Sequence, residues 1–335
     1  MIKFLNSKLW ILVLGGWKLF RVPALWVWCL GFGISSSYAE TKYAGEFMSL
    51  GIGARPLGMG STFVAIAEDA TFPYWNPAGG VQSQMKELFI MHSESFEGFV
   101  NFDGIAYLQS AGSRGALGIL FSRLGVEEIP LTDSSSSDPN FPFFIKEEVN
   151  AEDLLLTLSY SQWKGESFSW GGSVKFVRRD TGTNSALGTG VDLGGLYHLG
   201  ENVGVGLNLQ DLTTTIITWD TGQKDFVIPS VKTGIVLRRE IEFPKGDFLF
   251  AFDTDLKFEN RGEEGSQFTF GRGSGDLHLG AEYRFRNALS FRLGSDMGRF
   301  TYGVGFQYKS IKFDYAHFNH SDLGGSFRIS GSILF

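Results

Sequence analysis

Phe300-Thr-Tyr-Gly-Val-Gly-Phe-Gln-Tyr308 places Phe, Tyr, Val, Phe and Tyr at even positions and Thr, Gly, Gly and Gln at odd ones. Successive side chains of a β-strand point to opposite faces, so this stretch has one apolar face and one polar or small face. The pattern recurs in Leu277-His-Leu-Gly-Ala-Glu-Tyr-Arg-Phe285, in Val203-Gly-Val-Gly-Leu-Asn-Leu-Gln210 and in Phe168-Ser-Trp-Gly-Gly-Ser-Val-Lys-Phe176. It recurs again where the sequence closes, Phe327-Arg-Ile-Ser-Gly-Ser-Ile-Leu-Phe335. A soluble sandwich or barrel turns such apolar faces inward, whereas an outer-membrane barrel turns them toward lipid.

Three features favour lipid. The polar faces carry Gly, Ser, Asn, Gln and isolated charges of both signs, as a lumen does. Aromatic residues (Phe168, Tyr197, Tyr283, Phe285, Phe300, Tyr308) sit near segment ends, as interfacial girdles do. Phe335 ends an alternating strand, the form of an outer-membrane assembly signal addressed to the barrel assembly machinery.

Outward from these stretches, fourteen strands are expected at 86–93, 102–110, 114–124, 152–162, 167–179, 187–198, 201–211, 229–239, 246–257, 275–286, 288–296, 300–309, 310–319 and 325–335. Every second link is short, and the other links include the three longest, 125–151, 212–228 and 258–274. Bacterial barrels have even strand numbers, short periplasmic turns and longer outer loops. The expected fold is therefore all-β, an antiparallel 14-stranded transmembrane β-barrel. The parity places both termini in the periplasm and the Ser-rich loop around Leu131–Pro142 outside.

Composition agrees. The 335 residues are 43% hydrophobic and 19% charged, with 44 Gly and 32 Phe, too apolar for disorder and too Gly-rich for a helical bundle. A net charge of −7 without a basic run argues against nucleic acid as a partner. The single cysteine, Cys29, excludes a disulfide framework and a multi-thiolate metal site. Lys3, Lys8, Lys18 and Arg21 are the only charges in residues 1–39; an apolar run, Pro23 to Ile34, and a Ser-x-Ala end follow. Residues 1–39 read as a secretory signal peptide cut after Ala39; the alternative is a retained inner-membrane anchor that uses the second apolar patch, Leu9–Gly16.

Residues 40–85 do not alternate. Gly-rich turns bracket a middle stretch, Ser61–Ala70, read as a short helix, and Asn76-Pro77 reads as a turn. Ala-Gly-Glu-Phe47, Gly51-Ile-Gly-Ala-Arg-Pro-Leu-Gly-Met-Gly60, Phe63-Val-Ala, Glu68-Asp-Ala and Trp75-Asn-Pro-Ala-Gly79 resemble the N-terminal signature of the PorV/PorQ family, within the FadL-like outer-membrane barrels. The resemblance implies that residues 40–85 are a hatch packed inside a barrel of residues 86–335. It puts Asn76, Pro77 and Ala78 in that hatch, with Gly51, Gly53, Gly58 and Gly60 forming its tight approach. It also implies two tasks, passage of hydrophobic molecules past the hatch or work with type IX secretion proteins. A purely structural envelope barrel is the third alternative, since a fold does not fix a function.

Other motifs weigh less. Gly51, Gly53 and Gly58 lack the offset and βαβ context of a dinucleotide loop, so no cofactor is expected. His92, His198, His278, His317 and His320 have no Cys or carboxylate at ligand spacing, so no metal is expected, and no serine motif marks a catalytic residue. By alternation Lys175, Arg179, Asp192, Asp253, Asp255, His278, Glu282, Arg284, Arg292, Lys312, Asp314 and Arg328 face the lumen. Their mixed signs fit a cross-strand ladder inside a plugged interior better than an ion-selective lining. Gly194, Gly204 and Gly206 leave room at the wall for the hatch. Phe47, Met48, Leu50, Leu57 and Phe63 are candidates to line a hydrophobic pocket or to form the hatch core. The expected partners are outer-membrane lipid, the assembly machinery, and hydrophobic small molecules or secretion-system proteins.

Overall fold

The computed structural model describes residues 44–95, 98–133, 144–259, 261–320 and 324–335. The expected signal peptide, Cys29 and most of the Ser-rich loop lie outside the described residues. Fourteen antiparallel strands form the wall. They are β1 Glu87–Ser95, β2 Val100–Ala111, β3 Gly115–Asp133, β4 Phe144–Lys164, β5 Phe168–Asp180, β6 Ser185–Leu199, β7 Val203–Gln210, β8 Ser230–Ile241, β9 Gly246–Lys257, β10 Gly273–Phe285, β11 Leu289–Asp296, β12 Arg299–Tyr308, β13 Ile311–His320 and β14 Gly324–Leu334. Each pairs with the next, and β1 closes on β14 from Glu87↔Leu334 to Glu94↔Phe327. Closure leaves the wall no unpaired edge at lipid depth, the condition for spanning a bilayer.

Alternation becomes two faces as expected. Outward Val174, Phe176, Phe291, Leu293, Tyr302, Val304, Phe306 and Phe313 are exposed, whereas inward Lys175, Arg292 and Asp253 are buried. Burying charged groups inside while leaving Phe and Leu outside is the reverse of a water-soluble barrel. Lipid must meet the outer face. Near the loop mouth the outer belt ends in a polar row, His92 to Asp103 at 2.7 Å and Arg123 to Glu152.

Short turns follow β2, β4, β6, β8, β10 and β12 at one mouth; the longer links lie at the other. Three links depart from the sequence reading. β3 and β4 run on past Val126 as a ribbon that occupies much of the expected loop 125–151. The link after β7 holds a hairpin, Thr215–Trp219 with Lys224–Val227, whose first strand pairs with β6. The link after β9 holds a helical turn, Gly262–Gly265, and a strand, Phe268–Phe270, paired with β10.

Residues 44–85 pack against the inner face of the wall. Their regular pieces are two 3-10 turns, Glu46–Ser49 and Gly80–Gln82, and two short helices, α1 Ala54–Gly58 and α2 Phe72–Trp75. The expected helix over Ser61–Ala70 is corrected to a chain of turns. Some of its N–H groups close local turns, and three bond the wall instead: Phe63 and Val64 donate to Asp253 Oδ2 at 2.7 and 2.8 Å, and Ala70 donates to Glu87 Oε2 at 3.2 Å. The inner wall is not uniformly polar. Inward residues of β1–β3 (Phe89, Met91, Phe102, Ala106, Leu108, Ala116, Leu120) form a dry core with Ile52, Met59, Phe63, Ile66, Phe72 and Trp75 of the hatch. Charges line most of the remaining circumference.

Candidate functional site

The hatch descends from one mouth to the other. Ala44 accepts from Arg179 at 3.0 Å beside the loop mouth, while Glu87 and Phe335 lie at the turn mouth. The first described residue of the hatch thus lies at the loop mouth. Phe335 exchanges backbone hydrogen bonds with Lys86, 3.0 Å each, and its ring stacks against Tyr107.

Each motif residue has a defined partner. Gly51 N–H donates to the Tyr74 hydroxyl at 2.8 Å, its carbonyl accepts from Arg328, and Gly53 N–H meets Met91 Sδ at 3.1 Å. Gly58 lies so near the wall that a Cβ would sit 3.1 Å from the Gly303 Cα. Gly60 has φ +65, and a Cβ there would lie 2.5 Å from the Leu279 carbonyl and 2.6 Å from Ser295 N. Asn76 is fully buried. Its Nδ2 donates to Val64 O at 2.9 Å and to Gly195 O at 3.3 Å, and its Oδ1 accepts from Ala78 N at 3.0 Å. Pro77 and Ala78 lie against Gly171 and Gly194 of the wall, and Ser169 donates to Ala78 O at 2.9 Å. Asn208 and Gln210 donate to the Trp75 and Tyr74 carbonyls at 2.9 and 3.1 Å.

Ion pairs fasten the same segment. Arg55 reaches Glu68 at 2.8 Å, Glu282 at 3.0 Å and Asp69 at 3.8 Å. Glu68 also meets Arg238 at 3.1 Å. Glu282 is shared with Arg284 (3.0 Å) and Arg292 (2.6 Å), and Arg292 continues to Asp314 at 2.7 Å. Burial works against the charge on Glu68, but Arg55, Arg238 and Arg284 overcome it and hold its carboxyl at about 2. Burial likewise works against Arg55, and Glu282, Glu68 and Asp69 carry it well above its ordinary value. Elsewhere Lys175 bridges Asp192 (2.8 Å) and Asp211 (2.6 Å), and Lys232 meets Asp255 at 2.6 Å. Arg179 holds Asp153 at 2.8 Å and covers the Phe47 ring.

The twelve charges read from alternation all face inward, and they pair with opposite signs or hatch backbone. Sequence reasoning missed Arg55, Glu68, Asp69 and Glu87 as tethers, and Lys232, Arg238, Asp211 and Asp276 as lumen charges. In β8 the signal was blurred, because inward Val236 is apolar and outward Arg239 is charged.

The hatch divides the lumen. A loop-mouth chamber of about 340 Å³ is floored by Pro73, Tyr74 and Trp75. A turn-mouth chamber of about 330 Å³ lies between Arg55, Pro56, Asp69, Thr71 and the wall. Of the five pocket candidates, Met48 and Leu50 line the loop-mouth chamber, whereas the others pack away from it. Phe47 lies against Leu155, Val177 and Ile217, Leu57 against Ala54 and Ala316, and Phe63 against Trp75.

Neither a protein-family model nor a curated protein matches the sequence. Solved structures do match in shape. The toluene transporter TodX of P. putida is 12% identical with a TM-score of 0.56, over 85% of this chain and 97% of that one. The fold is that of the FadL-type barrels. The toluene transporter TbuX of Ralstonia pickettii (14%, TM-score 0.55, 85% and 97%) and a FadL homologue of Pseudomonas aeruginosa (12%, 0.55, 84% and 97%) share it. These FadL-type neighbours are transmembrane barrels, and two are described as transporters.

Proposed function

We propose that this chain is an outer-membrane conduit of the PorV/PorQ type for small hydrophobic molecules, exported by residues 1–39 and oriented with its short turns in the periplasm. The observation that supports this reading best is the pair of chambers facing one another across the hatch. A cavity of about 150 Å³ lodges a benzene ring, so each chamber has room for a one-ring compound. Between them stand Gly51–Trp75, held by discrete tethers rather than by a continuous ladder. Displacing α1 and α2 joins the chambers. The FadL-type neighbours that carry toluene point the same way.

A disulfide tests this. The Ala54 N–H and the Ser330 hydroxyl are 3.3 Å apart, and the exported chain otherwise lacks cysteine. The Ala54→Cys, Ser330→Cys pair should pin α1 to β14. Cells carrying it should take up labelled toluene only after reduction. Uptake indifferent to oxidation, or equal to that of cells without the protein, overturns the reading.

One observation favours a second task, holding secreted proteins or a secretion channel. Above Val126 the β3–β4 ribbon leaves both neighbouring strands and stands clear of the wall with exposed Phe144 and Ile145. Pulldown through the ribbon tests it, and retention of the same proteins after the ribbon is trimmed ends it.

A further inference from the structure

The loop-mouth chamber has a chemistry of its own. Among the described residues its lining carries seven carboxylates and five cationic side chains, whereas the turn-mouth chamber carries four of each. The loop-mouth lysines are engaged: Lys175 by Asp192 and Asp211, Lys232 by Asp255, Lys257 by Asp276 at 3.8 Å. Arg261 is held by Glu46 and Glu259. A carboxylate entering here meets an excess of its own sign, and four of the five cations already hold carboxylate partners. Like-charge approach in a partly enclosed space is costly because water screens it poorly.

His278 adds a second, independent observation. It is more than nine-tenths buried and lines this chamber. Its Nδ1 faces two acceptors, Asp296 Oδ1 at 2.8 Å and the Gly60 carbonyl at 3.2 Å. Nδ1 therefore carries a ring hydrogen. Nε2 has no hydrogen-bond partner, and Asp255 Oδ2, an acceptor, lies 3.8 Å from it. Nε2 and Asp255 Oδ2, which already accepts from Lys232, face one another without a direct hydrogen bond, and a buried polar atom left unmatched carries a desolvation cost that a polar head placed between them removes. Leu50, Pro73, Trp75 and Phe258 supply apolar surface in the same chamber.

We propose that the loop-mouth chamber takes small hydrophobic molecules bearing a hydrogen-bond-donating head, a hydroxyl or an ammonium, and turns carboxylates away. The head sits between His278 Nε2 and Asp255, and the apolar body lies on the hatch floor. This substrate class rests on the conduit reading.

Benzylamine, benzyl alcohol and benzoate share one shape and differ in head charge. Their binding to the full exported chain in lipid nanodiscs, against empty nanodiscs at pH 7, is the test. Benzylamine and benzyl alcohol should bind, and benzoate at least tenfold more weakly. His278→Leu should weaken the first two about tenfold and leave benzoate unchanged. Asp276→Asn, which frees Lys257, should raise benzoate affinity several-fold. His278→Gln, which keeps a donor toward Asp296, serves if the leucine variant loses its heat-modifiable gel shift. Equal binding of the three, tighter benzoate, or indifference to both His278 variants overturns the proposal. If none of the three binds while uptake still depends on the Ala54–Ser330 cross-link, the head-group assignment fails and the conduit stands. If they bind in the expected order while uptake ignores the cross-link, the conduit fails and the chamber's preference stands.

Discussion

The wall and the hatch must both satisfy backbone hydrogen bonds out of reach of bulk water, and they do so differently. The wall uses the interstrand ladder, which any side chain tolerates provided its face is right. The hatch lacks a ladder and a long helix, so it borrows partners: Asp253, Glu87, Ser169, Asn208, Gln210 and Arg328 of the wall each bond its backbone. Wall substitutions should therefore act by degrees, set by depth and polarity. Hatch substitutions should act by position, all or nothing.

Gly60 gives the largest expected effect. Its φ of +65 and the wall backbone 2.5–2.6 Å from any Cβ leave no room for Gly60→Val. That variant should lose the folded, heat-modifiable band. Gly195→Ala on the outer face, where a Cβ meets the Phe168 ring at an ordinary 3.6 Å, should keep it. Equal behaviour of the two would erase the distinction between the regions.

Asp253→Ala comes next. It strips the acceptor from the Phe63 and Val64 N–H groups, at about 1–3 kcal/mol for each orphaned donor. Asp253→Asn keeps a carbonyl oxygen there and should cost less than half as much in urea unfolding from micelles. Val304→Arg tests the wall. Val304 is exposed on β12 beside Phe291 and Tyr315, and an arginine near the bilayer midplane costs about 2–4 kcal/mol. The same arginine placed outward near a mouth should cost about 1 kcal/mol or less. A depth-independent penalty would mean that lipid does not set the outer face.

The same contrast governs what the sequence discloses. Every wall strand was legible, β9 to the residue, because lipid on one side and the lumen on the other impose period two. Where lipid ends, the pattern lapses: Glu127-Glu128 and Phe144-Ile145 do not alternate, and β3 and β4 were read too short. The hairpin Thr215–Trp219 was missed because five residues are too few to carry a period. Inward charges were legible wherever their outward neighbours were apolar, as with Lys175 between Val174 and Phe176. The tethers were not. Arg55 and Glu68 stand out in the sequence, but nothing in their spacing says that Arg55 meets both Glu68 and Glu282, the latter 227 residues beyond it. The motif around Asn76 disclosed a turn, and only the fold shows its side chain bonding three backbone groups.

The smallest effect expected is a response to pH, and it separates the regions most cleanly. Glu68 titrates near 2 in the folded hatch against an ordinary 4.5, so its ionised form favours the latched state. The sign follows: a lowered folded value contributes stability above about 4.5 and loses it as pH falls toward 2. A maleimide-reactive thiol at buried hatch position Ala65 (Ala65→Cys) should label slowly and evenly from pH 8 to about 5, then faster below 4.5 after correction for thiol reactivity. Glu68→Gln in that background should label several-fold faster at every pH, with no acid step. The wall, closed by its ladder, should keep its heat-modifiable shift throughout. Parallel loss of the wall band and of hatch protection would show that hatch and wall unfold as one unit, and that the Glu68 pairs do not latch a separable part.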